Sequence, residues 1–279
     1  MIVIETIPDM AYLRNNLKEP VGFVPTMGFL HEGHMSLVKK ARAENKSVIV
    51  SIYVNPTQFG PKEDLSKYPR DLPRDLSMLE KEGTDVVFFP SDKEMYPDGY
   101  DTWVTVENLT KPLEGDARPT HFRGVTTIVN KLFNIVRPTS AYFGLKDAQQ
   151  VLVIKKMATD LNMNLKVVVC PTIREPDGLA MSSRNVYLNP EQRKAAPVLN
   201  KSLLLAKELF TGGERNTTVI LKQMTSLIQK EQLADIDYIS ISDTATLAEL
   251  KTINNSALVS MAVRFGNTRL IDNIILGQE

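Results

Sequence analysis

Short apolar runs alternate with amphipathic stretches through residues 1–174, and this alternation is the strongest constraint on the fold. The β-branched run Ser47–Val54 is typical of a strand that is buried on both faces. Strands that alternate with helices build a parallel sheet with right-handed crossovers, so we expect an α/β domain whose parallel sheet is flanked by helices. The predicted strands are Val21–Pro25, Ser47–Val54, Asp85–Phe89, Ala141–Phe143 and Leu165–Cys170, and the predicted helices are Leu72–Glu82, Val125–Val136 and Asp147–Leu161.

The pattern changes after residue 174. Helical spacing over Glu191–Phe210 predicts one long helix that Gly212 and Gly213 end, and a second helix follows at Thr217–Glu231. Three consecutive strand candidates then occur, at Ile236–Ser242, Ala257–Phe265 and Arg269–Leu276. We therefore predict two domains, residues 1–174 and a smaller α+β domain at residues 175–279 with a partly antiparallel sheet.

The composition excludes several classes of protein. Lys and Arg number 33, as do Asp and Glu, so no broad basic field is present to hold a nucleic acid. The single cysteine, Cys170, lies in an apolar run and is interpreted as a buried core thiol, which leaves no intrachain disulfide and no four-thiolate zinc site. With no long apolar run and no signal-like start, the sequence predicts a cytoplasmic protein with no membrane partner.

The motif His31-Glu32-Gly33-His34 lies where the first predicted strand gives way to a helix. A dinucleotide fingerprint is excluded because no two glycines lie two apart, and a Walker A loop is excluded because His34 replaces its lysine. Gly33 lets the backbone approach a ligand, and the helix N-terminus offers N–H groups and partial positive charge. Two imidazoles at this place can donate hydrogen bonds to phosphate oxygens.

Two other interpretations of the histidine pair stay open. The pair could bind zinc, although His121 is the one remaining histidine and carboxylates would have to complete the site. The pair could also be structural histidines at the surface. The strand–loop–helix position favours the phosphate interpretation.

Two further segments have residues suited to phosphate. Gly178–Asn185 combines two serine hydroxyls with the fork of donors on Arg184, although an ordinary helix cap is the alternative. Phe143–Asp147 follows a strand and opens a helix, where Lys146 can meet phosphate as a point charge.

Taken together, these segments resemble the nucleotidyltransferase superfamily that includes class I aminoacyl-tRNA synthetases. That superfamily pairs a His-x-Gly-His signature with a downstream Met-Ser-Lys/Arg loop, here His31–His34 and Met181–Arg184. The chain is more closely similar to the pantoate–β-alanine ligase (pantothenate synthetase) family, through segments in that family's order and spacing. These segments are Val24–His34, Tyr53–Gly60, Tyr68–Arg70, Arg118–Val125, Tyr142–Gln150 and Arg174–Asn185.

The resemblance implies a Rossmann-like domain that binds nucleotide and pantoate, and a smaller domain that closes over the ATP site. The ATP-binding positions that it implies are Met27, Gly28, Phe29, Leu30, His31, Glu32, Gly33, His34, Gly144, Leu145, Lys146, Asp147, Ile173, Met181, Ser182, Ser183 and Arg184. The catalytic positions are His34, His31, Lys146 and Arg184, and the substrate-binding positions are Gln58, Gln150 and Asn55. Amides suit a non-phosphorylated acid because they offer donors and an acceptor without charge.

The implied reaction has two steps. The pantoate carboxylate attacks the α-phosphorus of ATP and pyrophosphate leaves, and the amine of β-alanine then displaces AMP. The resemblance also implies Mg²⁺ bridging phosphate oxygens and a homodimer. It gives His34 the role of proton donor, although the residues alone do not favour it over His31.

Asp75 matches a metal-side carboxylate of the family, near the start of the helix after Tyr-Pro-Arg. Some relatives have a second acid just before it, where this chain has Arg74, so we expect ATP and water to hold most of the ion. Gly60–Pro73, which is rich in Pro, Lys and Asp, predicts a mobile flap that excludes water, with a plain surface loop as the alternative. Lys62 and Lys67 are its candidate trypsin sites.

Two other functions compete with this one. A nucleotidyltransferase for a phosphorylated substrate would need more cationic contacts than the uncharged Gln58 and Gln150 provide. A non-catalytic nucleotide sensor would not require the full set His31, His34, Lys146 and Arg184. A tRNA-binding synthetase is disfavoured by the size and the neutral charge of the chain.

Overall fold

The computed structural model describes residues 1–61 and 63–277, and they form two compact units. The first unit comprises Met1–Leu145 and Gln149–Pro171, and the second comprises Lys146–Ala148 and the chain from Thr172 onward. The sequence predicts a boundary between residues 174 and 175, and the continuous part of the second unit begins at Thr172. It does not predict that Lys146–Ala148 belong to the second unit.

The first unit contains a six-stranded sheet in which every pairing is parallel, in the order β1-β4-β3-β2-β5-β6. The predicted α/β architecture is therefore confirmed. The strands are β1 (Ile2–Ile4), β2 (Val21–Thr26), β3 (Ser47–Ile52), β4 (Val86–Phe88), β5 (Ser140–Gly144) and β6 (Lys166–Cys170). The helices are α1 (Ile7–Arg14), α2 (Glu32–Glu44), α3 (Leu72–Lys81), α4 (Asp92–Met95), α5 (Glu114–Ala117), α6 (His121–Val136) and α7 (Ala148–Asp160), with 3-10 turns at Pro56–Gln58 and Leu145–Asp147.

The core lies on both faces of this sheet, which explains the continuous apolar runs. In β2, Phe23 packs with the cluster that includes α6 and α7, whereas Val24 packs with the cluster that includes α2. Successive side chains of a strand point to opposite faces, so a strand covered on both sides must be apolar at both. In β2, the polar residue Thr26 accordingly lies at the carboxyl end of the strand.

The order of the strands reverses beside β2. The chain runs from β2 through β3 to β4 on one side and then returns to the other side with β5 and β6. In sheets of this type, ligands bind at such a switch point, outside the carboxyl ends of the strands. The carboxyl end of β2 is Thr26, and the segment that contains the His-x-Gly-His motif follows it directly.

The second unit has helices and an antiparallel three-stranded sheet in the order β7-β8-β9. The smaller α+β domain is confirmed, and this sheet is antiparallel throughout its described strands. Its elements are a 3-10 turn (Ser183–Tyr187), α8 (Pro190–Ala195), α9 (Val198–Thr211), α10 (Thr217–Ile228), β7 (Ala234–Ser242), β8 (Ala257–Phe265) and β9 (Thr268–Leu276).

The single helix predicted over Glu191–Phe210 is wrong, because α8 ends at Ala195 and α9 begins at Val198. Pro197 lies at the break, where its missing N–H cannot continue the hydrogen bonds of a helix. The apolar spacing of the sequence continues across the break, so periodicity alone does not reveal it. Among the residues described, no helix is both long enough and apolar enough to cross a bilayer.

We expect Gly124→Ala to destabilise the first unit. Gly124 packs α6 against the turn Pro56–Gln58, and a Cβ atom would lie 2.4 Å from the Thr57 carbonyl oxygen. Backbone atoms cannot move aside easily, so the free energy of unfolding should fall by about 2 kcal/mol. Urea unfolding followed by the fluorescence of Trp103, the one tryptophan of the chain and a residue of the first unit, measures this.

Gly144→Ala is the matched control, because a Cβ atom there would have no heavy atom of the described residues within 4 Å. Equal urea midpoints for the parent and Gly124→Ala would contradict this close packing.

Candidate active site

The loop that we call the motif loop, residues 27–31, joins β2 to α2 through two left-handed residues. Gly28 has φ +81° and Phe29 has φ 49°. A Cβ atom on Gly28 would lie 3.0 Å from the Ile52 side chain and 3.2 Å from Asp75 Oδ2. Glycine is therefore required at position 28 by both conformation and space.

His31 and His34 together form the cap of α2. His31 is the N-cap residue, and its Nδ1 accepts the Gly33 N–H at 3.1 Å. His34 Nδ1 in turn accepts the His31 N–H at 3.3 Å, and the two ring centroids lie 4.0 Å apart. An imidazole whose Nδ1 accepts a hydrogen bond has its proton on Nε2 when neutral. The backbone thus sets the tautomer of both rings and makes each Nε2–H the donor.

Asp75, on the first turn of α3, holds the motif loop. Its side chain is buried, with Oδ2 accepting the Phe29 N–H at 2.7 Å and Oδ1 accepting the Leu30 N–H at 2.8 Å. Burial raises the pKa of the Asp75 carboxyl, against the effect of these two N–H groups. A buried N–H group that loses its acceptor costs about 1–3 kcal/mol, so this carboxylate is a strong local constraint.

Gln58 contacts the first residue of the same loop, and Asn55 contacts Gln58. Gln58 Nε2 is 2.8 Å from the sulfur of Met27, and Asn55 Nδ2 donates to Gln58 Oε1 at 3.2 Å. Asn55 is almost fully buried and also donates to the Gly124 carbonyl at 3.1 Å and accepts from Tyr96 Oη at 3.0 Å. The structure therefore brings two predicted substrate-binding amides next to the first predicted ATP-binding residue, and Asn55 fixes the orientation of Gln58.

His121 is a structural residue of the first unit. Its Nδ1 donates to the Gln58 carbonyl oxygen at 2.9 Å, and an Arg118 nitrogen lies 3.3 Å from its Nε2. Burial, followed by the charge of Arg118, lowers the pKa of His121 from 6.5 to about 4, against the opposing effects of the hydrogen bond to Gln58 and of Glu114 and Glu63. The ring is neutral at pH 7 and supports the backbone of Gln58. No sequence signal marks this role apart from the place of His121 at the start of α6.

The adjacent glutamines of α7 have different environments. Gln149 is buried and structural, since its amide donates to the Leu109 and Pro112 carbonyls at 2.9 and 2.8 Å. Gln150, the predicted pantoate ligand, is only half-buried. It lies on the first turn of the helix that follows β5, the strand beside β2 at the switch point.

Glu63, in the segment Gly60–Pro73, forms an ion pair with Arg118. The Arg118 Nε–H donates to Glu63 Oε1 at 2.8 Å. Burial would raise the pKa of Glu63, but hydrogen bonding and the charge of Arg118 outweigh it and hold the pKa below its usual value. Tyr68 is buried, with its ring packed edge-on against Phe59. The predicted mobility of this flap stays a prediction, and Lys62 lies outside the described residues.

Lys146 and the predicted phosphate ligands at Met181–Arg184 belong to the second unit. The Lys146 carbonyl accepts from Asn273 Nδ2 at 2.7 Å, and the Lys146 ammonium lies 3.7 Å from Asp147 Oδ1. Asp272, beside Asn273, accepts two hydrogen bonds from Arg174 at 2.6 and 3.0 Å. This ion pair joins the Lys146 segment to Arg174, the first residue of the segment 174–185 that we call the downstream motif.

The downstream motif begins with a tight loop that is closed by a backbone hydrogen bond. The Ile173 carbonyl accepts the Met181 N–H at 3.0 Å, and Gly178 turns the chain at φ +94°. Ser182 Oγ then accepts the Arg184 N–H at 3.2 Å and caps the 3-10 turn. The cap interpretation of this segment is thus correct for Ser182, and it is compatible with phosphate binding by the residues that follow.

The described part of the chain offers no cluster of protein ligands for a metal ion. Across residues 1–61 and 63–277, the structure contains no group of three His, Cys, Asp or Glu side chains suited to a metal. Both oxygens of Asp75 already accept backbone N–H groups, and the Arg74 guanidinium lies 3.7 Å from Oδ1. A zinc site on the histidine pair is equally without support, because the Nδ1 atoms of both rings accept backbone hydrogens.

Comparisons with known proteins show the family of the chain. The family model described as pantoate-beta-alanine ligase matches residues 2–275. The chain belongs to the pantoate–β-alanine ligase family. Pantothenate synthetases from Roseiflexus sp. (strain RS-1) and Acetivibrio thermocellus are each 58% identical, over 99% of both chains.

Solved structures of the pantoate–β-alanine ligase family share the fold. Pantothenate synthetase from Thermus thermophilus has a TM-score of 0.94 and 47% identity, covering 98% of this chain and 99% of its own. The ligase from Francisella tularensis has a TM-score of 0.82 and 38% identity, covering 98% and 97%, and was solved with beta-gamma ATP and β-alanine bound. The resemblance that the sequence motifs indicated is confirmed over nearly the whole chain.

The neutral His121 makes the stability of the first unit depend on pH. Between pH 6.5 and about 4, the unfolded chain binds a proton that the folded chain does not, because the folded pKa is lowered. The free energy of unfolding should therefore decrease as the pH falls, by about 2 kcal/mol at pH 5 from this group alone.

His121→Asn should flatten that dependence, because its amide can still donate to the Gln58 carbonyl and does not titrate. Urea unfolding of both proteins at pH 7 and pH 5, followed by Trp103 fluorescence, gives the comparison. An identical pH dependence in the two proteins would rule out His121 as the group responsible.

Proposed function

We propose that the chain catalyses the ATP-dependent condensation of pantoate with β-alanine to pantothenate, releasing AMP and pyrophosphate. The single observation that carries this proposal is the pair of imidazoles that cap α2, at the end of the motif loop whose first residue, Met27, contacts the Gln58 amide. Membership of the pantoate–β-alanine ligase family supports it, as does the Francisella tularensis ligase with its bound ATP compound and β-alanine.

In the first step, a pantoate carboxylate oxygen attacks the α-phosphorus of ATP. The bond from that phosphorus to the α,β-bridging oxygen breaks, and pyrophosphate leaves with the electron pair. The Nε2–H groups of His31 and His34 donate to phosphate oxygens where negative charge increases, and the N-terminus of α2 adds its partial charge. Donors that are fixed by the backbone need no reorganisation during the reaction.

In the second step, the neutral amine of β-alanine attacks the acyl carbon of the adenylate. The C–O bond to AMP breaks, AMP leaves, and the ammonium proton is released to give the amide product. Gln58 holds pantoate, and Asn55 orients Gln58 through the hydrogen bond between their amides. We assign Gln150 a pantoate contact as well, from the family resemblance.

We assign further ATP contacts to residues of both units from the same resemblance. In the first unit these are Met27, Gly28, Phe29, Leu30, Glu32, Gly33, Gly144 and Leu145. In the second unit they are Lys146, Asp147, Ile173, Met181, Ser182, Ser183 and Arg184, where Lys146 and Arg184 supply positive charge to phosphate. The closing of residues 175–279 over ATP belongs to this proposal.

Mg²⁺ belongs to the proposal as the partner that ATP brings to the enzyme, with phosphate and water oxygens as its ligands. This assignment follows from the donor set, since no suitable carboxylate cluster exists among the described residues. A homodimer, a cytoplasmic location and the absence of nucleic-acid partners stay predictions from the sequence and the resemblance.

The reaction is tested by following pyrophosphate and AMP separately while each substrate is omitted in turn. Pyrophosphate should form with ATP and pantoate alone, up to about one equivalent per active site, because the adenylate stays bound. AMP should accumulate only after β-alanine is added. Pyrophosphate release that ignores pantoate, or AMP release that ignores β-alanine, would reject this function.

His34→Ala should lower kcat by a factor equivalent to about 2–4 kcal/mol of barrier, if its Nε2–H stabilises the transition state. His34→Asn is the control for capping, because its side-chain oxygen replaces Nδ1 as the acceptor of the His31 N–H while no donor replaces Nε2–H. We expect His34→Asn to unfold at the same urea concentration as the parent and yet to be as slow as His34→Ala. A fully active His34→Asn would show that His34 only caps the helix.

A further inference from the structure

Asp75 is a buried carboxylate that the reaction steps above do not use. It lies on the first turn of α3, and its oxygens accept the consecutive N–H groups of Phe29 and Leu30 at 2.7 and 2.8 Å. Hydrogen bonds of this length to an ionised acceptor are strong, and two of them in parallel define an orientation as well as a distance. Asp75 therefore holds the motif loop by its backbone.

These hydrogen bonds hold the part of the motif loop that has left-handed backbone conformations. Gly28 and Phe29 both have left-handed φ values, and Phe29 adopts this conformation with a full side chain. Such a conformation persists only where surrounding contacts hold it. Leu30 is followed by His31, whose backbone and ring start the cap of α2. The position of the two Nε2–H donors thus depends on the turn that Asp75 holds.

A metal-binding role, which the family resemblance implied for Asp75, does not fit these contacts. Each carboxylate oxygen already has an N–H partner, and the Arg74 guanidinium lies 3.7 Å from Oδ1 and 5.2 Å from the centre of the Phe29 ring. A divalent cation would be repelled by this guanidinium. It would also lack further protein ligands among the residues that the structure describes.

We propose that Asp75 is a positioning residue that aims the histidine pair at ATP through the backbone of Phe29 and Leu30, and that it does not bind Mg²⁺. The inference rests on the proposed function for the identity of ATP as the ligand. It changes the role of Asp75 from a ligand of the metal ion to a contact with the motif loop.

Asp75→Asn is the test variant, because its amide keeps one acceptor and turns a donor toward the other N–H group. Glu94→Gln is the matched control, because Glu94 lies in α4 of the same unit and its Oε1 accepts the Ile7 N–H at 2.6 Å. The glutamine oxygen can still accept that N–H. Both variants lose one negative charge, and only the first alters the hydrogen bonds to Phe29 and Leu30.

Positioning predicts that kcat/KM for ATP falls by about 100-fold in Asp75→Asn, while Glu94→Gln stays within about twofold of the parent. The Mg²⁺ concentration for half-maximal activity, at a fixed saturating concentration of ATP, should not change. A tenfold or larger increase in that concentration, with kcat recovered at high Mg²⁺, would overturn the proposal.

Hydrogen exchange of the enzyme without substrates gives a second measurement that does not depend on the reaction. The amides of residues 29, 30 and 33 should exchange faster in Asp75→Asn and at the parental rate in Glu94→Gln. Unchanged exchange in Asp75→Asn would contradict the positioning role, whichever acid the enzyme proves to activate. The proposed function fails instead in the omission assay, so the two failures are distinguishable.

Mn²⁺ binding to the parent protein keeps the proposal testable if Asp75→Asn does not fold. The parent without ATP should bind no Mn²⁺ at micromolar concentrations, as measured by electron paramagnetic resonance of the free ion. A stoichiometric Mn²⁺ site that broadens the NMR signals of the Phe29 and Leu30 amides would place the metal on Asp75 and overturn the inference.

Discussion

The pairing of β2 with β3 on one side and with β5 on the other is the constraint on which the first unit depends. It places the carboxyl ends of three parallel strands at one edge of the sheet, where the chain leaves β2 into the motif loop and β3 into the turn Pro56–Gln58. Met27 and Gln58 come into contact for this reason, although they lie 31 positions apart in the sequence. The buried faces of β2 form the core, so chemistry is left to the strand ends.

At this edge of the sheet, structural residues lie directly beside the predicted site residues. Gly124 brings the backbone of α6 against the turn Pro56–Gln58, and Asn55 and His121 then bind the side chain and the carbonyl of Gln58. Asp75 does the equivalent for the motif loop. Gln58 and the motif loop are thus each held by hydrogen bonds to buried polar side chains of other segments. A site built in this way is prepared before its substrates arrive.

Much of this could be predicted from the sequence, because the relevant signals are local. The continuous β-branched run of β3 and the apolar spacing of α3 predict both elements, and the residues of the motif loop predict a phosphate site. The short β1 and α1 escape prediction, since three residues of strand and a partly exposed helix have little periodicity. The supporting roles of Asp75 and His121 also cannot be predicted from the sequence. They arise from contacts across 45 and 63 positions, which no spacing rule reports.

The hydrogen bonds at the start of α2 bear on what an imidazole can do there. A neutral ring whose Nδ1 accepts a backbone hydrogen has its proton on Nε2, and giving that proton away would leave an imidazolate, which is prohibitive in water near neutrality. Protonation of Nδ1 would permit the transfer, but it would turn an acceptor toward the backbone into a donor and open the first turn of the helix. The two rings are accordingly suited to sharing their protons with a phosphate and keeping them, so that acid catalysis and the integrity of this helix end exclude one another.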